Sequence, residues 1–163
     1  MAKWDERDPR WLVQNREDGK NVGGWHWEER NVMAWAKQQL EELLTAIPPA
    51  AAGGLRIERL KSCGGEASIT TRKGGKKLAI WDLTFSVEWS ATPEGEDKKP
   101  VKGAIEVREF ASAHDEEDFL FEITAEGSSA DGDAFKAAAA GLKPQILVAL
   151  AEFGERIHAL ERP

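Results

Sequence analysis

Arg72-Lys73-Gly74-Gly75-Lys76-Lys77-Leu78-Ala79-Ile80-Trp81-Asp82-Leu83-Thr84-Phe85-Ser86-Val87-Glu88-Trp89 is the stretch that decides the fold. Ala79, Trp81, Leu83, Phe85, Val87 and Trp89 are apolar, and Asp82, Thr84, Ser86, Glu88 and Ser90 between or after them are polar. Side chains that alternate in this way point to opposite faces of an extended chain, so the spacing predicts a strand with one buried face. The run is longer than the usual strand of about 5–6 residues. It reads as the central rib of an antiparallel sheet, an arrangement that tolerates a wet second face. Two glycines at its start let the backbone reverse. The turn they form holds four cations, Arg72, Lys73, Lys76 and Lys77, on a rigid edge where a partner can dock.

The flanks build a sheet around this rib. Upstream, Leu55–Lys61 reads as a strand, Ser62-Cys63-Gly64-Gly65 as a turn, and Glu66–Thr71 as a second strand with Ala67 and Ile69 inward. Downstream, Ala91–Pro100 is a polar loop, and Val101, Gly103, Ile105 and Val107 alternate as a fourth strand. The acidic segment Ala111–Asp118 turns the chain, and Phe119, Phe121 and Ile123 mark a fifth strand that Gly127-Ser128-Ser129 ends. The sheet therefore covers residues 55–126.

Helices bracket it. Asn31 is a capping residue, and Val32, Trp35, Ala36, Leu40, Leu43, Leu44 and Ile47 share one helical face until Pro48-Pro49. That predicts a helix over 31–47. Asp133 as a cap, with Ile146, Leu150, Phe153, Ile157 and Leu160 at helical spacing, predicts another over 133–161. Gly141 and Pro144 leave two alternatives there, a kink or a fresh start with proline in the first turn. Residues 1–30 read as an extended arm with Trp4 and Trp11 as pegs. The expected class is α+β, a single domain over 1–163: an antiparallel four- to five-stranded meander flanked by an N-terminal and a long C-terminal helix.

Composition narrows the function. The 163 residues carry 22 Lys and Arg against 29 Asp and Glu, a net charge of −7. Such a balance argues against general affinity for nucleic acid or an anionic membrane. A lone cysteine, Cys63, forms no intramolecular disulfide and points to a reducing, cytoplasmic setting. The start, Met1-Ala2-Lys3-Trp4-Asp5, lacks the apolar segment of a signal peptide. No run approaches the roughly 20 apolar residues of a membrane span. The basic turn lacks the phosphate-loop pattern and precedes a strand, not a helix. There is no nucleophile elbow, and Cys63 has no base nearby in sequence. His26, between Trp25 and Trp27, has no Cys or second His at metal spacing. The expectation is a chain with no catalytic residues, no cofactor and no metal.

Several residues carry a resemblance: Trp4, Asp8-Pro9-Arg10-Trp11, Asn21-Val22-Gly23-Gly24-Trp25-His26-Trp27, Trp35, Gly65-Glu66-Ala67-Ser68-Ile69 and Arg72-Lys73-Gly74. In that order they resemble the amino-terminal domain of the activator of the ninety-kilodalton heat-shock chaperone's ATPase, over essentially the whole chain. The resemblance implies an elongated α+β body with a four-stranded antiparallel meander between helices. It implies a co-chaperone, not an enzyme, that binds the middle domain of the heat shock protein 90 dimer and favours the closed, ATP-hydrolysing state. Arg72, Lys73, Lys76 and Lys77 match the family's docking turn, and Glu66 falls where it often has an acidic contact. Asn21, Trp25, His26 and Trp27 match its element linked to nucleotide handling, with Gly23 and Gly24 replacing paired asparagines. The family's carboxy-terminal domain is not in this sequence, so a short member with weaker avidity, or a truncated one, is expected. Two other classes stand beside this reading: a holding chaperone that binds unfolded clients through exposed Trp or Phe, and a small enzyme built on His26.

Overall fold

The computed structural model describes residues 28–72, 74–95, 98–127 and 130–160. Five strands form one antiparallel sheet in chain order: β1 (Glu28–Asn31), β2 (Arg56–Thr71), β3 (Lys77–Ala91), β4 (Val101–Ala111) and β5 (Leu120–Ala125). Helix α1 (Met33–Thr45) links β1 to β2, and α2 (Ala130–Ala140) and α3 (Lys143–Ala159) follow β5. The α+β class and the antiparallel meander are as the alternation in β3 predicted.

That alternation places the core. Ala79, Trp81, Leu83, Phe85, Val87 and Trp89 are each at most 7 % exposed. Leu40 and Leu44 of α1 and Ile146, Leu150, Phe153 and Ile157 of α3 are buried in the same core. Phe153 sits at the centre of a ring cluster, 5.7 Å from Trp35, 5.8 Å from Trp81 and 5.4 Å from Phe110 between centroids. Each such side chain removed from water contributes about 1.5–3 kcal/mol. The indole N–H groups of Trp81 and Trp89 are buried without an acceptor, so shape, not hydrogen bonding, seats these rings.

β2 departs from the expectation. Ser62-Cys63-Gly64-Gly65 is no turn; it pairs with Ser86, Phe85, Thr84 and Leu83 inside one continuous strand. Register shifts at Ile57/Arg59 and Leu60/Ser62 absorb the phase break at Leu60 as bulges. Gly65 has φ +114°, and a Cβ there would lie 2.0 Å from the Asp82 carbonyl oxygen. The glycine serves a close backbone approach between strands, not a reversal. The two predicted upstream strands are thus one, and the fifth strand is β1, taken from the end of the stretch read as an arm. All four β1 residues are exposed, so no alternation announces it.

Helix ends follow local chemistry. Asn31 Oδ1 accepts the Met33 N–H at 2.8 Å, relieving one donor that the first turn of α1 leaves open. The C-terminal region is two helices bent by 43°, not one. Gly141 follows α2, and α3 begins afresh with Pro144 in its first turn, where a missing N–H costs nothing. Asp133 lies within the first turn of α2 instead of capping it, where its charge still favours the helix dipole. Arg156 fastens α3 to α1, donating from Nη1 to Gln39 Oε1 at 2.7 Å and lying 3.6 Å from Glu42. No single helix among the described residues is long and apolar enough to cross a membrane.

Candidate functional site

The hairpin between β2 and β3 is built by its glycines. The Arg72 N–H donates to the Lys76 carbonyl at 2.6 Å, and the Gly75 N–H donates to the Arg72 carbonyl at 3.0 Å. Gly74 and Gly75 have φ of +87° and +79°, conformations that a Cβ would strain. A Cβ built on either meets nothing within 4 Å, so the space beside the two glycines is open. Arg72 and Lys76 are exposed, and Lys77 is half-buried as the first residue of β3. Lys73 lies outside the described residues. Lys77 shares the phase of Ala79 and Trp81, which turns it away from the sheet's outer, wet face.

Glu66 is exposed but is not part of the tip. It lies six positions before Arg72 on β2, roughly 20 Å along the strand. It stands directly across from Asp82 in the register, so two carboxylates meet on the outer face. Between them and the turn is Ile80, 44 % exposed and paired with Ser68. Sequence reading did not single out Ile80. Its signal was an apolar residue in the polar phase of β3. The expected exposed Trp or Phe does not occur among the described residues, where the exposed large apolar side chains are Ile80, Leu120 and Val148. The element assigned to Asn21, Trp25, His26 and Trp27 lies outside the described residues.

The remaining outer face is a lattice of ion pairs. Arg59 meets Glu88 at 3.2 Å, and Arg108 lies 3.7 Å from Glu106 and 3.6 Å from Glu122. Ser90 and Arg56 both donate to Glu58 and hold its carboxyl below the usual range. None of this assembles a reaction centre. Burial pushes the Cys63 thiol up, away from the thiolate needed for attack. The Ser112 hydroxyl is engaged with the Trp81 backbone at 3.3 Å, and His114 Nδ1 donates to the Glu109 carbonyl at 2.9 Å. Neither is set to activate the other. Among the described residues no three His, Cys, Asp or Glu side chains gather as a metal site.

Residues 29–160 match the family model described as activator of Hsp90 ATPase, N-terminal. The chain belongs to that family. A bovine relative called activator of 90 kDa heat shock protein ATPase homolog 2 is 38 % identical over 137 residues, which are 83 % of this chain and 51 % of the relative. The chain thus spans about half the length of that relative. The Hsp90 co-chaperone HCH1 of Saccharomyces cerevisiae is 29 % identical over 60 % of this chain and 69 % of its own. Among solved structures, Aha-1 from Plasmodium falciparum superposes with a TM-score of 0.67 at 20 % identity, covering 82 % of this chain and 90 % of that one. The human Aha1 N-terminal domain gives 0.58 at 17 % identity, over 83 % of this chain and all of that one. At those identities the structural likeness speaks for the fold.

Proposed function

We propose that this chain is a co-chaperone that binds the middle domain of heat shock protein 90 and stimulates its ATPase by favouring the closed state, with no chemistry of its own. It acts in the cytoplasm as a single activator domain, with partner contacts at Arg72, Lys73, Lys76, Lys77 and Glu66. Asn21, Trp25, His26 and Trp27 bear on nucleotide handling in the partner. The observation that carries this reading is the cationic hairpin tip: two positive-φ glycines shape it on an acidic chain, with Arg72 and Lys76 exposed. A positive tip on a body of charge −7 orients approach to an acidic patch, because the rest of the surface repels it. Ile80 supplies apolar area beside the tip, which matters because exposed ion pairs contribute only about 0–1 kcal/mol each.

The test is ATP turnover by purified chaperone with and without the chain. The Arg72→Ala, Lys73→Ala double variant should weaken half-maximal stimulation by about 2- to 30-fold, two exposed pairs' worth, and raised salt should shrink the difference. Normal stimulation by that variant would remove the tip from the mechanism. Calorimetric titration against the isolated middle domain checks the docking partner separately. A holding-chaperone role draws less support, because the exposed large apolar side chains among the described residues are Ile80, Leu120 and Val148, none of them aromatic.

A further inference from the structure

A second site lies on the helical side of the sheet, between α3 and the β4–β5 connection. A cleft of about 220 Å³ opens there. It is smaller than the roughly 300–1,000 Å³ of small-molecule sites, and its size suits a single side chain. The floor is aromatic. Trp81 and Phe110 lie 6.0 Å apart, and Phe119 closes edge-on to Phe110 at 5.2 Å. One wall is the α3 face formed by Leu150, Ala151 and Gly154.

The rim has the opposite character. His114, Asp115 and Glu116 line it. The segment 109–118 around it holds Glu109, Asp115, Glu116, Glu117 and Asp118 and no Lys or Arg. The rim is also preformed. The Asp115 N–H donates to Asp118 Oδ2 at 3.0 Å, the Asp118 N–H donates to the Asp115 carbonyl at 2.9 Å, and the His114 N–H donates to the Ala111 carbonyl at 3.0 Å. A site already held in shape spends little ordering entropy on binding.

Gly154 is the independent sign of use. A glycine inside a helix costs about 0.5–1 kcal/mol relative to alanine. The fold gives no reason for it here: its φ is helical, and a Cβ would meet only Trp81 Cη2, at an ordinary 3.9 Å. Alanine would therefore fit and strengthen α3. What glycine preserves is the depth of the cleft.

We propose that this cleft takes one apolar side chain from a basic segment of a protein partner. The apolar group rests on Trp81, Phe110 and Phe119, and flanking lysines or arginines meet Asp115 and Glu116. This inference stands apart from the hairpin tip and does not depend on the ATPase reading.

Amide shifts of the full chain, titrated with acetyl-Lys-Leu-Lys-amide and acetyl-Glu-Leu-Glu-amide, test it. The expected result is saturable shifts at Ser112, His114, Asp115, Ala151 and Gly154 with the basic peptide only. Gly154→Ala should weaken that binding by roughly tenfold, the effect of one methyl in an apolar pocket, while raising the melting temperature, so that loss of binding is not loss of fold. Asp115→Asn with Glu116→Gln should weaken it by about 2- to 30-fold. Three results with peptide would each overturn the proposal: equal shifts with the acidic peptide, binding unchanged in Gly154→Ala, or no shift at these residues up to millimolar peptide. Shifts at these residues that depend on protein concentration without peptide would assign the cleft to a second copy of the chain, and equally overturn it.

Discussion

Gly103 stands directly opposite Trp89 in the β3–β4 register, and the fully buried indole covers it. A Cβ at Gly103 would lie 2.1 Å from the Thr124 carbonyl oxygen and 2.3 Å from Trp89 Cζ2. Both neighbours would have to yield, and one of them is backbone. Gly103→Ala is therefore expected to destabilise strongly. Moving the indole overpacks the core, at about 1–3 kcal/mol. Displacing β5 weakens one or two ladder hydrogen bonds, at about 0.5–1.5 kcal/mol each. The lower freedom of the unfolded alanine chain returns about 0.4–1 kcal/mol. The net loss is roughly 2–4 kcal/mol, a fall in melting temperature of about 5–15 °C for a domain of this size. Urea unfolding followed by tryptophan fluorescence measures it. In the Trp89→Leu background the ring clash disappears while the Thr124 clash stays, so the two substitutions should be non-additive by about 0.5–3 kcal/mol. A loss below about 1 kcal/mol for Gly103→Ala, or strict additivity, would show that Trp89 does not hold this strand pair as described.

Three further outcomes follow from the same geometry. Gly65→Ala should destabilise β2 where it crosses Asp82, since its Cβ would meet a carbonyl at 2.0 Å; faster amide exchange confined to β2 and β3 is the readout. Phe153→Ala should cost about 3–5 kcal/mol, because its ring touches Trp35, Trp81 and Phe110 at once; chemical denaturation tests this. His114 should titrate above the usual histidine range, because its Nδ1–H donates to the Glu109 carbonyl and Asp118 and Glu109 lie near. The folded pKa is raised, so this contribution to stability is full below the unfolded pKa and is lost as pH rises through the folded one. An NMR titration of His114 at or below the ordinary midpoint would contradict it.

Much of the fold was legible because β3 is buried on one face and wet on the other, which prints period two directly into the residues. The apolar stripe of α1 and the seam Ile146, Leu150, Phe153, Ile157 in α3 were legible for the same reason. Ser62–Gly65 misled because turn chemistry is local, while pairing with β3 depends on residues about 20 positions away. β1 was silent because Glu28–Asn31 are all exposed and show themselves only in their backbone pairing with β2. At the site, charge and glycines marked the tip and the phase of β3 put Ile80 on the outer face, but only the β2–β3 register set it between the tip and Glu66, and no sequence signal closed a cleft with residues from β3, β4 and α3.

The short first strand has one more consequence. Glu28 pairs with Thr71, the residue immediately before Arg72. Glu28 and Thr71, far apart in sequence, are thereby held side by side at the base of the basic turn. Pairing with β1 thus closes the end of β2 nearest the turn, an edge that would otherwise offer its open N–H and C=O groups to a foreign strand.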